Sequence, residues 1–139
     1  MKIRAFSNAA LFAAAMLFTA GNANAAEWGT TYGQMTLPDE LAPGPVRAPY
    51  SEDGGRLIGR FSAMKCNDCG IALTGIWVEN GSDETCDSVK DGSAHWGAAT
   101  LEFNDAHTSF TGTWNYCGKG ASHAWTGKLG AMKRGASSR

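Results

Sequence analysis

No apolar run in this chain is long enough to anchor it in a bilayer as a helix. The longest, the Ala-rich stretch from Ala9 to Ala20, falls short of the roughly 20 residues a spanning helix needs. Charge of one sign is missing too: 12 Lys and Arg stand against 13 Asp and Glu, a net charge of −1. That balance excludes the basic footprint of a nucleic-acid binder. No stretch sustains a helical apolar period. No Gly-rich loop precedes a helix to cradle a phosphate, and no nucleophile motif surrounds the serines. His95, His107 and His123 are the three histidines, so no cofactor or metal site is expected.

What is present begins with a leader. Lys2 and Arg4 precede the apolar run, and Ala23-Asn-Ala25 follows it. A charged start, a short apolar segment and an A-x-A site predict a secretory signal peptide over residues 1–25, hence a periplasmic or secreted protein. Its removal leaves roughly 114 residues, one domain's worth, able to bury roughly 65% of the unfolded chain's surface. The domain is expected over residues 26–132. Lys133, Arg134 and Arg139 mark residues 133–139 as a flexible basic tail.

The domain states one phrase twice. Leu73-Thr-Gly-Ile-Trp77 and Phe110-Thr-Gly-Thr-Trp114 share the order apolar, Thr, Gly, any residue, Trp. In a strand, alternate side chains share a face, so Phe110, Gly112, Trp114 and Tyr116 point one way, as do Leu73, Gly75 and Trp77. Gly between bulky same-face residues signals tight curvature, or an aromatic ring lying over bare backbone. Turn formers every eight to twelve residues complete an all-β signature.

Strands are expected over Trp28–Leu37, broken in two if it turns at Gly33, and over Val46–Tyr50, Arg56–Ala63, Ile71–Glu79, His95–Phe103 and Ser109–Tyr116. A loop at Gly118–Ser122 leads to a last strand from His123 to about Met132. Seven or eight strands with short connections predict a small up-and-down antiparallel β-barrel, whose closure removes exposed edges. An open β-sandwich is the alternative.

The meander places Cys86 and Cys117 at one rim and Cys66 and Cys69 at the other, about 30 Å away for a nine-residue strand. A disulfide needs Cα atoms within about 7 Å, so the pairing expected is Cys86–Cys117 with Cys66–Cys69. For the Cys66-Asn-Asp-Cys69 segment, a redox pair or a metal-ligand pair remains an alternative to a clip across a hairpin turn.

Five tryptophans are many for so short a chain. Trp77, Trp114 and Trp125 share the inward phase, with Trp114 expected in the core and Trp125 at a pocket rim. They either fill the barrel or line its mouth. The candidate ligand-binding set is Trp77, Trp114, Tyr116, Trp125, His95 and His123. The functions in view are a non-enzymatic module taking a small apolar or carbohydrate ligand, and an inhibitor or adaptor meeting a protein partner through Asn80–Ser93 or Leu37–Pro49. A hydrolase or metal site at the His95/His123 rim is the third.

Two resemblances bear on the fold. Gly112-Thr-Trp-Asn-Tyr-Cys117 and the closing Trp125-Thr-Gly127 resemble the repeats of a family of small exported bacterial β proteins, which implies fold and export only. Trp28, Gly33, Met35-Thr-Leu37 and Tyr50 look like the opening of avidins, and Leu73-Thr-Gly-Ile-Trp77 is similar to their repeated strand core. That likeness implies an eight-stranded barrel. Thr30 and Gln34 stand where avidins place a ligand-binding Asn and a Ser, so it does not carry over biotin binding.

Overall fold

The computed structural model describes residues 24–65 and 70–130. The Cys66–Cys69 pair, the basic tail and all but the last two residues of the leader lie outside them. Eight strands run in order: β1 Ala25–Thr30, β2 Gly33–Pro38, β3 Gly44–Pro49, β4 Arg56–Ala63, β5 Ile71–Glu79, β6 His95–Phe103, β7 Ser109–Tyr116 and β8 Lys119–Leu129. One 3-10 turn, Glu52–Gly54, precedes β4. Among the described residues no helix is long and apolar enough to cross a membrane.

Apart from β2 and β3, consecutive strands pair antiparallel, and β1 pairs back onto β8 at Gly29–Lys128 and Thr30–Gly127. The result is an up-and-down barrel with one seam. Across it β2 and β3 meet at the Met35–Tyr50 bridge, where Ser51 N–H donates to Gln34 O (2.9 Å) and Gln34 N–H to Ser51 Oγ (3.0 Å). The expected boundaries of β4 to β7 agree with the structure residue for residue. The stretch Trp28–Leu37 does break into a hairpin ahead of Gly33.

The expected Gly118–Ser122 loop is instead strand. Tyr116 pairs with Lys119, and Cys117 and Gly118 form the whole turn with φ of +58° and +77°. Two positive φ values in a two-residue hairpin match the sheet's right-handed twist. β8 therefore starts four residues earlier than its composition suggests, and it ends at Leu129.

The inward phase runs as the alternation predicts. On β6, Ala99, Leu101 and Phe103 are buried, while Glu102 is exposed. Toward the end where β6 meets β7 through residues 104–108, aromatic rings pack the barrel interior. Trp28 meets Phe103 edge-on at 5.2 Å between ring centroids, and Phe103 packs on Phe110 at 5.1 Å. The Trp28 indole N–H, buried there, has no hydrogen-bond partner among the described residues.

The glycines of the repeated phrase serve curvature. A Cβ at Gly75 would meet the Ile58 carbonyl oxygen and, at 2.5 Å, the Cα of Gly59 on β4. At Gly112 it would meet the Thr100 carbonyl oxygen and Leu101. Backbone, not an aromatic ring, occupies both spots; the covering ring is found at Gly127, beneath Phe110. Gly75→Val should therefore destabilise despite valine's β propensity, by about 3 kcal/mol, the top of the overpacking range, because backbone yields less than a side chain. An unchanged urea midpoint would contradict this close approach.

A second cluster lies outside the barrel. Val78 and Trp96, paired on β5 and β6, point outward and are buried with Cys86 beneath the 80–94 connection. Cys86 and Cys117 are joined, with Cα atoms 5.5 Å apart. Trp96 N–H donates to Ser88 O (2.9 Å), and Lys90 lies 4.8 Å over its ring. The Asp91 carboxylate accepts from Arg47 of β3 (2.8 Å) and Arg56 of β4 (2.6 Å). Those guanidinium hydrogen bonds hold its pKa down at about 2. The connection is a strap tied to the wall.

Candidate functional site

Four connections meet at the other end of the barrel: residues 31–32, 50–55, 80–94 and 117–118. Between them opens a cavity of about 690 Å³, within the range of about 300–1,000 Å³ typical of small-molecule sites. It lies above the packed half of the core.

Trp114 is the hub of its wall. Tyr32, Trp77 and Tyr116 stand nearly perpendicular to it at centroid distances of 5.7, 5.4 and 5.0 Å. His123, its partner on β8, lies against it at 4.5 Å with a tilt of only 33°. Trp125 forms the floor, meeting Tyr32 at 5.4 Å and Tyr50 at 5.1 Å.

Each indole N–H lining the cavity is spent within the protein. Trp77 donates to Asn115 O (2.9 Å), Trp114 to Tyr32 Oη (3.1 Å) and Trp125 to Thr30 Oγ1 (3.2 Å). Thr30 also accepts from Tyr32 N–H (3.1 Å) and donates to Gly33 O (2.8 Å), so one hydroxyl fixes the β1–β2 turn and the floor together. Ring surface is what these groups have left to offer.

Carboxylates occupy the mouth: Glu52 and Asp53 from the 3-10 turn, Glu79 at the end of β5, and Asp83 in the strap. Tyr50 Oη donates to Glu79 Oε2 at 2.8 Å. Burial pushes the Glu79 carboxyl up to about 7 against the Tyr50 hydrogen bond, and the negative charges of Glu52 and Asp53 add to the rise while His95 opposes it. Burial likewise raises Tyr50, followed by the Glu79 charge. Tyr116 is raised by burial and then by Asp83 and Glu84.

The consequence for stability has a definite sign. An unfolded Glu releases its proton near 4.5, whereas folded Glu79 holds it to about 7. Stability from this group is full below 4.5 and falls as pH rises through that window. Wild-type melting temperature should drop between pH 5 and pH 8, and Glu79→Gln should flatten that slope. A wild-type slope of the opposite sign that Glu79→Gln leaves unaltered would contradict the assignment.

Of the six residues expected from the sequence, Trp77, Trp114, Tyr116, Trp125 and His123 line the cavity, and His95 does not. The His95 Nδ1 is 3.0 Å from the Ser82 hydroxyl and 3.1 Å from the Glu84 carbonyl oxygen, and that hydroxyl donates to the same carbonyl (2.7 Å). His95 thus braces the strap, and Asp91 of the same segment is held by the two arginines. Among the described residues no group of three or more His, Cys, Asp or Glu is placed to hold a metal ion.

Trp114 and Trp125 exchange the roles expected of them: Trp125 is 1% exposed and Trp114 is half-buried. The cause is register. Trp125 pairs with Gly112 and Trp114 with His123, so Trp125 lies one step deeper along the barrel axis. Tyr32, Tyr50 and the four carboxylates were missed. Glu79 carried a signal, since it continues the inward series Leu73, Gly75, Trp77. Tyr50 and the 3-10 turn carried none, because the closure of β3 onto β2 decides where they point.

No family model, curated protein or solved structure matches the chain.

Proposed function

We propose that this chain is an exported, non-enzymatic binding module whose Trp-lined barrel end takes a small ligand with an apolar or carbohydrate face. One observation carries the reading: a cavity of about 690 Å³ is walled by aromatic rings whose N–H groups are already satisfied. Trp114 and Tyr116, half-buried, give the cavity rigid apolar ring surface beside the buried Trp77 and Trp125. The Cys86–Cys117 disulfide suits the oxidising compartment that the leader implies. A protein partner engaging the 80–94 connection has less support, because the disulfide, Trp96 and Asp91 hold that segment on the wall.

Native mass spectrometry of protein purified from its own host tests this directly. The expected spectrum shows a chain beginning at Ala26 with a small mass excess that denaturation removes. A bare chain, combined with unchanged Trp fluorescence on adding an apolar dye and an oligosaccharide panel, would overturn the reading.

A further inference from the structure

We infer that the ligand of this cavity is an organic cation, an amine or quaternary ammonium group on a hydrocarbon body. The inference rests on the cavity being the ligand site and adds the sign of the ligand's charge.

Charge and hydrogen-bonding capacity both point this way. Glu52, Asp53, Glu79 and Asp83 line the cavity together with Trp, Tyr and one His, and among the described residues no Lys or Arg does. The nearest arginines are committed elsewhere. Arg47 and Arg56 both bind Asp91, and these are the only two ion pairs among the described residues. Lys90 lies over Trp96 on the outer wall. Among the described residues none of the four carboxyl groups at this mouth forms an ion pair, and Lys119, opposite Tyr116 at the rim, is the cation of the strands beside it.

The walls fit the same chemistry. The half-buried rings of Trp114 and Tyr116 border the cavity, and a ring face carries the negative side of the quadrupole, which attracts an ammonium group, Trp most strongly. The three indole N–H donors that would serve a sugar's oxygens are spent on Asn115, Tyr32 and Thr30. The hydroxyls of Tyr32 and Tyr116 and the His123 ring remain, beside four carboxyl groups and π surface. That excess of negative charge favours a cation over a neutral polyol.

The groups facing Glu79 are Tyr50, Glu52, Asp53 and His95, and Asp83 and His123 share the cavity. A bound cation favours the ionised form of Glu79, so binding strengthens as pH rises from 6 to 8.

Choline chloride and 3,3-dimethylbutan-1-ol, which differ in replacing N⁺ by carbon, separate charge from shape. They are titrated into the wild-type protein by Trp fluorescence and calorimetry, with maltotriose as a neutral sugar. The expected result is choline at least tenfold tighter than the alcohol, weakened by salt and strengthened from pH 6 to 8. Glu79→Gln should weaken choline at least threefold at pH 8 and the alcohol by less, with an unchanged near-UV circular dichroism spectrum showing that the variant is folded. Equal affinities for choline and the alcohol would overturn the cation inference and leave an apolar-ligand site standing. Binding of maltotriose without choline would overturn it in favour of a carbohydrate. Binding of none of the three would overturn the cation inference and count against the cavity as a ligand site.

Discussion

Truncating Trp125 to alanine should lower the unfolding free energy by about 3–5 kcal/mol, while the same change at Trp114 costs about half as much. Trp125 is 1% exposed. Its loss removes the floor on which Tyr32 and Tyr50 rest and the donor bonded to Thr30. The buried Thr30 hydroxyl loses a partner, and the hollow left behind joins the cavity above it. Trp114 already has one side in that cavity, so less surface was withdrawn from water on folding and less is returned by truncation. Urea midpoints of the two variants, compared at equal slope, decide the order. A larger loss at Trp114 would mean that the β7–β8 register is wrong.

Replacing Cys86 and Cys117 together by alanine should cost about 3–4 kcal/mol. The bond joins residues 31 apart in sequence, and a loop of that length stabilises by about that amount through its restriction of the unfolded chain. The same change releases the strap at its centre, where Cys86 is buried with Val78 and Trp96. Because Gly81, Ser82 and Asp83 of that strap line the cavity, the variant should also lose affinity for any cavity ligand. Chemical denaturation of the double variant gives the first quantity, and ligand titration well below its midpoint gives the second. Unchanged stability would show that the strap is held by Asp91 and the Trp96 contacts alone.

The strands were legible wherever turn chemistry and alternation agreed. Glu52-Asp-Gly-Gly55 and Asn104-Asp-Ala-His107 stop one strand and start the next, which is why β4 and β6 could be bounded from composition. Gly118, Gly120 and Ser122 misled because small polar residues also occur in strands beside a bulge. Here the register between Trp114 and Tyr116 shifts, and Gly120 takes a φ of +85° inside β8. That single misreading carried over to the site. With β8 starting at Lys119, Trp125 lies mid-strand and deep, not at a strand's beginning. Which face a residue occupies follows from period two, but its depth follows from stagger between strands, and stagger is written in no one segment. The ties of Asp91 to Arg47 and Arg56, across 44 and 35 residues, are likewise products of closure and have no local signal.

The division of the barrel into a packed half and an open aromatic half is tested most directly by its five indole N–H groups. In protein carrying ¹⁵N-labelled tryptophan, assigned by single substitutions, choline chloride, 3,3-dimethylbutan-1-ol and maltotriose are added in turn. Whichever binds should move the resonances of Trp77, Trp114 and Trp125, which line the cavity. Trp28, in the packed half, and Trp96, beneath the strap on the outer wall, should stay in place. Movement confined to Trp96, or equal movement of all five, would contradict a binding cavity at this end of the barrel.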